Sequence, residues 1–185
     1  MPIIGIVASG ARAASNDYEA IASYTVTGSN APHITFSDIP ATYRHLQIRG
    51  LVRTDRNAVQ NGCRFQLNGD TGNNYNFNQV YTQNGGTLSS ESYGGYFELN
   101  LGELPSANAP TYTFGFVLLD IFDYRNTNKY TTYNEIGGSD RNGSSQVGAN
   151  FGVWRNTDVV NSVKLYEAAS NWVVGSIFSL YGIKG

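Results

Sequence analysis

His45-Leu46-Gln47-Ile48-Arg49-Gly50-Leu51-Val52-Arg53 alternates apolar and polar side chains along its length. Successive side chains on a strand point to opposite faces, so Leu46, Ile48 and Val52 share one face and Gln47, Arg49 and Arg53 the other. This is a half-buried strand, and the same period recurs on both sides of it. Upstream, Ser23 to Thr27 and His33 to Ile39 are β-branched and aromatic, separated by Gly28-Ser29-Asn30-Ala31-Pro32. Downstream, Cys63, Phe65 and Leu67 share a face, and Tyr75, Phe77, Gln79 and Tyr81 alternate with Asn76 and Asn78. Tyr96 to Leu101 follows Gly94-Gly95, with Phe97, Leu99 and Leu101 expected inward.

Two stretches are apolar on both faces. Phe116 to Phe122 is broken only by Asp120. Ser176 to Lys184 places Ile177, Tyr181 and Ile183 on one face and Phe178 and Leu180 on the other. Such strands need cover from a second layer or a neighbouring subunit. Lys129 to Ile136, Val147 to Trp154 and Ser162 to Glu167 complete about ten strands. Strands at this spacing, without a convincing helix, predict an all-β chain: a two-sheet β-sandwich, a jelly roll at this length. No internal repeat or linker divides the chain.

The N-terminal stretch differs. Ile3, Ile4, Ile6 and Val7 are apolar, and Ala8 to Ala14 is small. Residues 1–20 are expected as an N-terminal arm and 21–185 as the sandwich domain. Asn16 to Ile21 could form one helical turn. The apolar start lacks the basic residues and length of a secretory signal, so cytoplasmic synthesis is expected.

Composition supports the strand reading and restricts partners. Of 185 residues, 21 are Gly, 13 Tyr and 20 Asn, which suit tight turns and half-buried strands. Charged residues make up 14%, with 12 Lys+Arg against 14 Asp+Glu. No basic face or polybasic run stands out, so neither nucleic acid nor an anionic membrane is an expected partner. The lone Cys63 excludes an intrachain disulfide and reads as core.

No catalytic or metal-binding constellation is recognisable, so no cofactor and no enzyme activity are expected. His33 and His45 have no carboxylate or cysteine at ligand spacing, and no Gly-x-Ser-x-Gly elbow is present. Glu98 and Glu103 near one strand, and Asp120 and Asp123 near the next, are the candidates for a hydrolytic carboxylate pair. Asp120 is also explained by a structural partner such as Arg or a Tyr hydroxyl. Asn68 to Asn74 is oxygen-rich but lacks the spaced carboxylates of a calcium loop, and reads as a turn. Gly137 to Ser144 lacks the Lys-Ser/Thr of a phosphate loop and reads as a loop between strands. Tyr75, Tyr81, Tyr93 and Tyr96 fall in or beside loops and could form a sugar platform.

Three stretches resemble tailed-bacteriophage virion proteins, of the capsid decoration (cement) or tail-associated type. They are Ile39 to Gly50, Leu67 to Tyr75, and Gly175-Ser176-Ile177-Phe178-Ser179-Leu180-Tyr181-Gly182-Ile183-Lys184. The resemblance implies a β-sandwich, a virion location after assembly in the host cytoplasm, and a homotrimer. It carries over no active-site residue. On that basis the first expectation is a decoration protein bound to the major capsid protein or other virion proteins. Ile3, Ile4, Ile6, Val7, Phe116, Leu118, Phe178 and Leu180 are its candidate contacts to capsid or subunit. The alternative is a tail-tip or fibre domain that binds host surface carbohydrate through the tyrosines.

Overall fold

The computed structural model describes residues 17–142 and 145–185 of the chain. Among them are twelve strands and no helix. In chain order they are β1 (Tyr18–Thr25), β2 (His33–Phe36), β3 (His45–Val52), β4 (Gln60–Leu67), β5 (Tyr75–Gln83) and β6 (Ser89–Tyr96). There follow β7 (Leu99–Pro105), β8 (Gly115–Phe122), β9 (Thr131–Asp140), β10 (Ser145–Trp154), β11 (Val163–Tyr166) and β12 (Ile177–Ile183).

All pairings are antiparallel and build two sheets. The larger has the order β1-β12-β3-β8-β9-β10-β5-β6, the smaller β2-β11-β4-β7. The two are consistent with a β-sandwich, the larger sheet extending past the smaller.

The alternation in β3 is realised as read: Leu46, Ile48 and Val52 are fully buried. Val117, Leu119 and Ile121 of β8 and Phe178 and Leu180 of β12 continue that inner face. The small sheet contributes Ile34, Phe36, Cys63, Phe65, Leu67, Leu99, Leu101, Leu104, Val163 and Leu165 to the same core. Burial of this apolar surface is the main favourable term holding the layers together. Trp172 bridges to Ala31 and Thr54, donates Nε1–H to the Leu165 carbonyl at 3.1 Å, and meets Phe178 edge-on at 5.0 Å.

Turn chemistry is legible in detail. Asn68 and Gly69 both take positive φ, 53° and 66°, as a primed turn requires. Asp70 then accepts from Gly72 N, Asn74 Nδ2 and Trp154 Nε1, at 2.8, 3.0 and 2.7 Å. The oxygen-rich loop is thus cross-braced by two of its own donors and tied to β10 by the third.

Four expectations need correction. Asn16 to Ile21 is not a helical turn: Tyr18, Glu19 and Ala20 pair with Ile183, Gly182 and Tyr181, so part of the expected arm is an edge strand. Asn16, Ile3, Ile4, Ile6 and Val7 lie outside the described residues. Phe97 is exposed: it follows the end of β6 at Tyr96, just past Gly95 at φ 70°, and the chain re-enters a strand only at Leu99. Gly137 to Asp140 is not a loop but the end of β9, paired with Ser145 to Gly148 of β10. Phe178 and Leu180 are interior, packed under the small sheet, and cannot contact another chain. The outer face of β12 is instead Ile177, Ser179, Tyr181 and Ile183.

Candidate functional site

The inward rungs of the large sheet show where it changes character. One rung runs Leu180, Ile48, Leu119, Glu135, Asn150, Gln79, Glu91 across seven strands. Its first three residues are apolar and lie in the core. From β9 onward every member is polar. The flanking rung on one side continues Leu46, Ile121, Tyr133, Gly152, Phe77, Tyr93. On the other it continues Val117, Gly137, Gly148, Tyr81. Beyond β7, the edge of the small sheet, no second layer among the described residues covers β10, β5 and β6 in full. The result is a cleft of about 360 Å³, within the range of small-ligand sites.

A relay of side-chain amides organises the floor. Asn100 of β7 donates to Gln79 Oε1 at 2.7 Å and to Asn150 Oδ1 at 2.9 Å. Asn150 in turn donates to Glu135 Oε2 at 2.5 Å. Arg64 Nη1 donates to Asn100 Oδ1 at 2.7 Å, and its Nε faces Glu98 Oε1 at 3.2 Å. Glu98 also accepts from the Tyr166 hydroxyl. The relay crosses both sheets and fixes the orientation of each amide.

Glu135 is the anomaly of the floor. It is fully buried, and its Oε1 has no hydrogen-bond partner among the described residues. Gly102, at φ 84° in a bulge opposite Cys63, and Gly137 lie against its carboxyl; a Cβ on Gly137 would collide with Oε1. Burial pushes the Glu135 carboxyl up to about 8, with the Asn150 bond opposing. Glu135 is therefore a neutral acid at pH 7. Burial also raises Glu103, against the pull of Arg64, Arg141 and Arg56.

The wall is aromatic. Tyr93 stacks on Phe77 with centroids 4.7 Å apart, and Tyr96 stands edge-on to both. Glu91 holds this wall. It accepts from the Tyr93 hydroxyl, from the Tyr81 hydroxyl at 3.1 Å and from Gln79 Nε2 at 2.8 Å. These bonds, that from Tyr93 first, hold its carboxyl below the usual range, so it is ionised at neutral pH.

Of the proposed sugar-platform residues, Tyr81, Tyr93 and Tyr96 line the cleft. Tyr75 does not: it is buried beside Trp154, its hydroxyl donating to the Asp70 carbonyl at 3.0 Å. Glu98 and Glu103 also reach the cleft. Asp120 lies outside it, accepting from Gln47 Nε2 at 2.6 Å. Asp123 pairs with Arg44 at 3.0 Å and Lys129 at 2.6 Å at another end of the molecule. His45 Nδ1 accepts from Asp123 N at 2.9 Å. Among the described residues, no group of three or more His, Cys, Asp or Glu is placed to hold a metal. Sequence reading missed Glu135, Asn150, Asn100, Gln79 and Glu91. The available signal was Glu135 at the inward parity of β9, between Tyr133 and Gly137.

The opposite, outer face carries an apolar rung: Ile177, Leu51, Phe116, Gly138, Val147. Ile177, Leu51, Phe116 and Val147 are all exposed, and the Phe116 ring lies over Gly138. Leu118 is half-buried beside them, lining a shallow groove with Arg49 and Tyr181. Comparison with known protein families, curated proteins and solved structures finds no match to this chain.

Proposed function

We propose that this chain is a glycan-binding jelly roll of a phage tail tip or fibre, with the inter-sheet cleft as its binding site. The observation that carries this is the inward rung that turns from Leu180, Ile48 and Leu119 to Glu135, Asn150, Gln79 and Glu91 where the second layer ends. Sugars present hydroxyls at their edges and C–H groups on their faces. They are matched by oriented amides and carboxyls next to aromatic rings. The cleft offers both, in the amide relay and in Tyr81, Tyr93 and Tyr96.

The strand order supports the jelly-roll reading. β1-β12-β3-β8 faces β2-β11-β4-β7, the interleaving of two four-stranded sheets expected of that fold. The remaining strands are two hairpins, β5–β6 and β9–β10, inserted between its members. These inserts form most of the cleft. Jelly rolls serve as lectins and as viral capsid domains, so the fold fits the virion resemblance without choosing a role.

The test is a printed oligosaccharide array followed by titration calorimetry on the best binder. Tyr93→Ala and Asn100→Ala should each weaken binding by about tenfold or more, the loss expected of a central contact. Absence of binding across the array, or binding indifferent to both changes, refutes the cleft as the site.

The outer apolar rung favours a second reading: a structural virion protein that decorates a capsid and associates with its own copies. Exposed contiguous apolar patches mark interaction surfaces. Sedimentation with particles lacking the protein tests it, with saturable binding abolished by Phe116→Ser as the supporting result.

A further inference from the structure

We infer that the cleft selects uncharged glycans and rejects those bearing a carboxylate or sulfate on the bound unit, with Glu91 as the specificity-determining residue. This rests on the glycan-binding reading and names its ligand class.

The charge inventory of the lining is one-sided. Three glutamates, Glu91, Glu98 and Glu103, and the neutral acid Glu135 line the cleft with a single arginine, Arg64. That arginine is committed within the chain. Its Nη1 donates to the Cys63 carbonyl at 2.9 Å as well as to Asn100, and its Nε pairs with Glu98. An incoming anion would have to compete with a carboxylate already in place. Sites that recognise anionic sugars present an open fork of donors to the acid group. Here Nη1 and Nε of the fork are already taken within the chain.

Glu91 occupies the mouth beside the aromatic wall, and all three of its donors come from the cleft itself. Glu91 is exposed, yet its carboxylate is fixed in position by Tyr81, Tyr93 and Gln79. A sugar stacked against Tyr93 lies next to that charge. A neutral hydroxyl there donates to the carboxylate, which is the stronger kind of hydrogen bond. A second carboxylate or a sulfate in the same place meets like charge with no cation between them.

The floor reinforces the selection in a different way. Glu135 carries a buried polar oxygen without a partner among the described residues, beside amides already bonded to one another. With its proton on, it offers a neutral hydroxyl group to whatever enters. It adds no charge that a cation would have to balance, so the deep end of the cleft is suited to a neutral hydroxyl.

The experiment uses the full chain and matched oligosaccharide pairs, each pair differing only in whether one unit carries a uronate, a sialic acid or a sulfate. Titration at pH 7 and low salt should show the neutral member binding at least about fivefold more tightly, the scale of one like-charge contact near 4 Å in water. Raising the salt should narrow that gap, since exposed charges are screened. Glu91→Gln, which retains one acceptor oxygen for the tyrosines, should narrow it too. Equal or tighter binding of the acidic member overturns the inference while leaving the cleft as a glycan site. A gap unchanged in Glu91→Gln overturns the role of Glu91. If neither member of any pair binds, the glycan reading itself fails and the inference with it.

Discussion

Replacing Glu135 with glutamine should flatten the pH dependence of this protein's stability. The folded chain holds the proton of Glu135 up to about pH 8, from an ordinary value of 4.5. Between those two values the native state binds a proton that the unfolded chain has released. Stability is therefore full below about 4.5 and is lost as pH climbs through the folded value. At about 1.4 kcal/mol per pH unit, the loss between pH 5 and pH 9 is roughly 4 kcal/mol. That is a large part of a typical domain's 5–15 kcal/mol. Glutamine keeps the acceptor for Asn150 and carries no proton to lose. Its own buried amide adds a constant cost of about 1–3 kcal/mol, so the informative quantity is the slope with pH. Urea unfolding of both proteins at pH 5, 7 and 9 measures it. Other titrating groups cancel in the difference between the two proteins. A wild-type minus variant difference that stays flat to within about 0.5 kcal/mol across this range would refute the buried, neutral assignment.

Two further outcomes follow from packing. Cys63 is fully buried and its thiol is pushed well up by burial, so Ellman's reagent at pH 8 should find no thiol in the native protein and one per chain in guanidinium. Rapid labelling of the native protein would contradict its place in the core. Gly152→Ala would drive a Cβ into the Tyr133 ring and the Asn76 carbonyl, on the two strands that flank β10. A cost of about 1–3 kcal/mol should appear as a lower urea midpoint, and an unchanged midpoint would show that the packing between β9, β10 and β5 is loose here.

Strands with one apolar face were legible because period-two patterning leaves little choice of orientation, as in β3 and β5. β12 shows the limit. Both of its faces are apolar, so its parity was correct while the choice of inner face was open. Only the position of the small sheet puts Phe178 and Leu180 inside. Ser89 to Tyr96 was missed because most of it lies over the cleft and not the core, which removes the apolar alternation that marks a strand. Gly137 and Gly138 suggested a loop, yet they are strand positions that leave room for the Glu135 carboxyl and the Phe116 ring. The site was hidden for a related reason. Glu135, Asn150, Gln79 and Glu91 come from four strands and meet only through register, which no local spacing encodes.

β12 lies between β1 and β3 in the large sheet, although it is the last described strand in the chain. During synthesis, β1 and β3 emerge early with a one-strand gap between them, and each exposes an unpaired edge until residues 177–183 arrive. Long-range pairing of this kind is slow, and open edges invite association with other chains. A chain cut short before β12 would lose more than one strand: it would leave β1 unanchored and the Leu46–Ile48–Val52 face partly bare. Arrival of β12 is thus the step that commits this sheet to a single molecule.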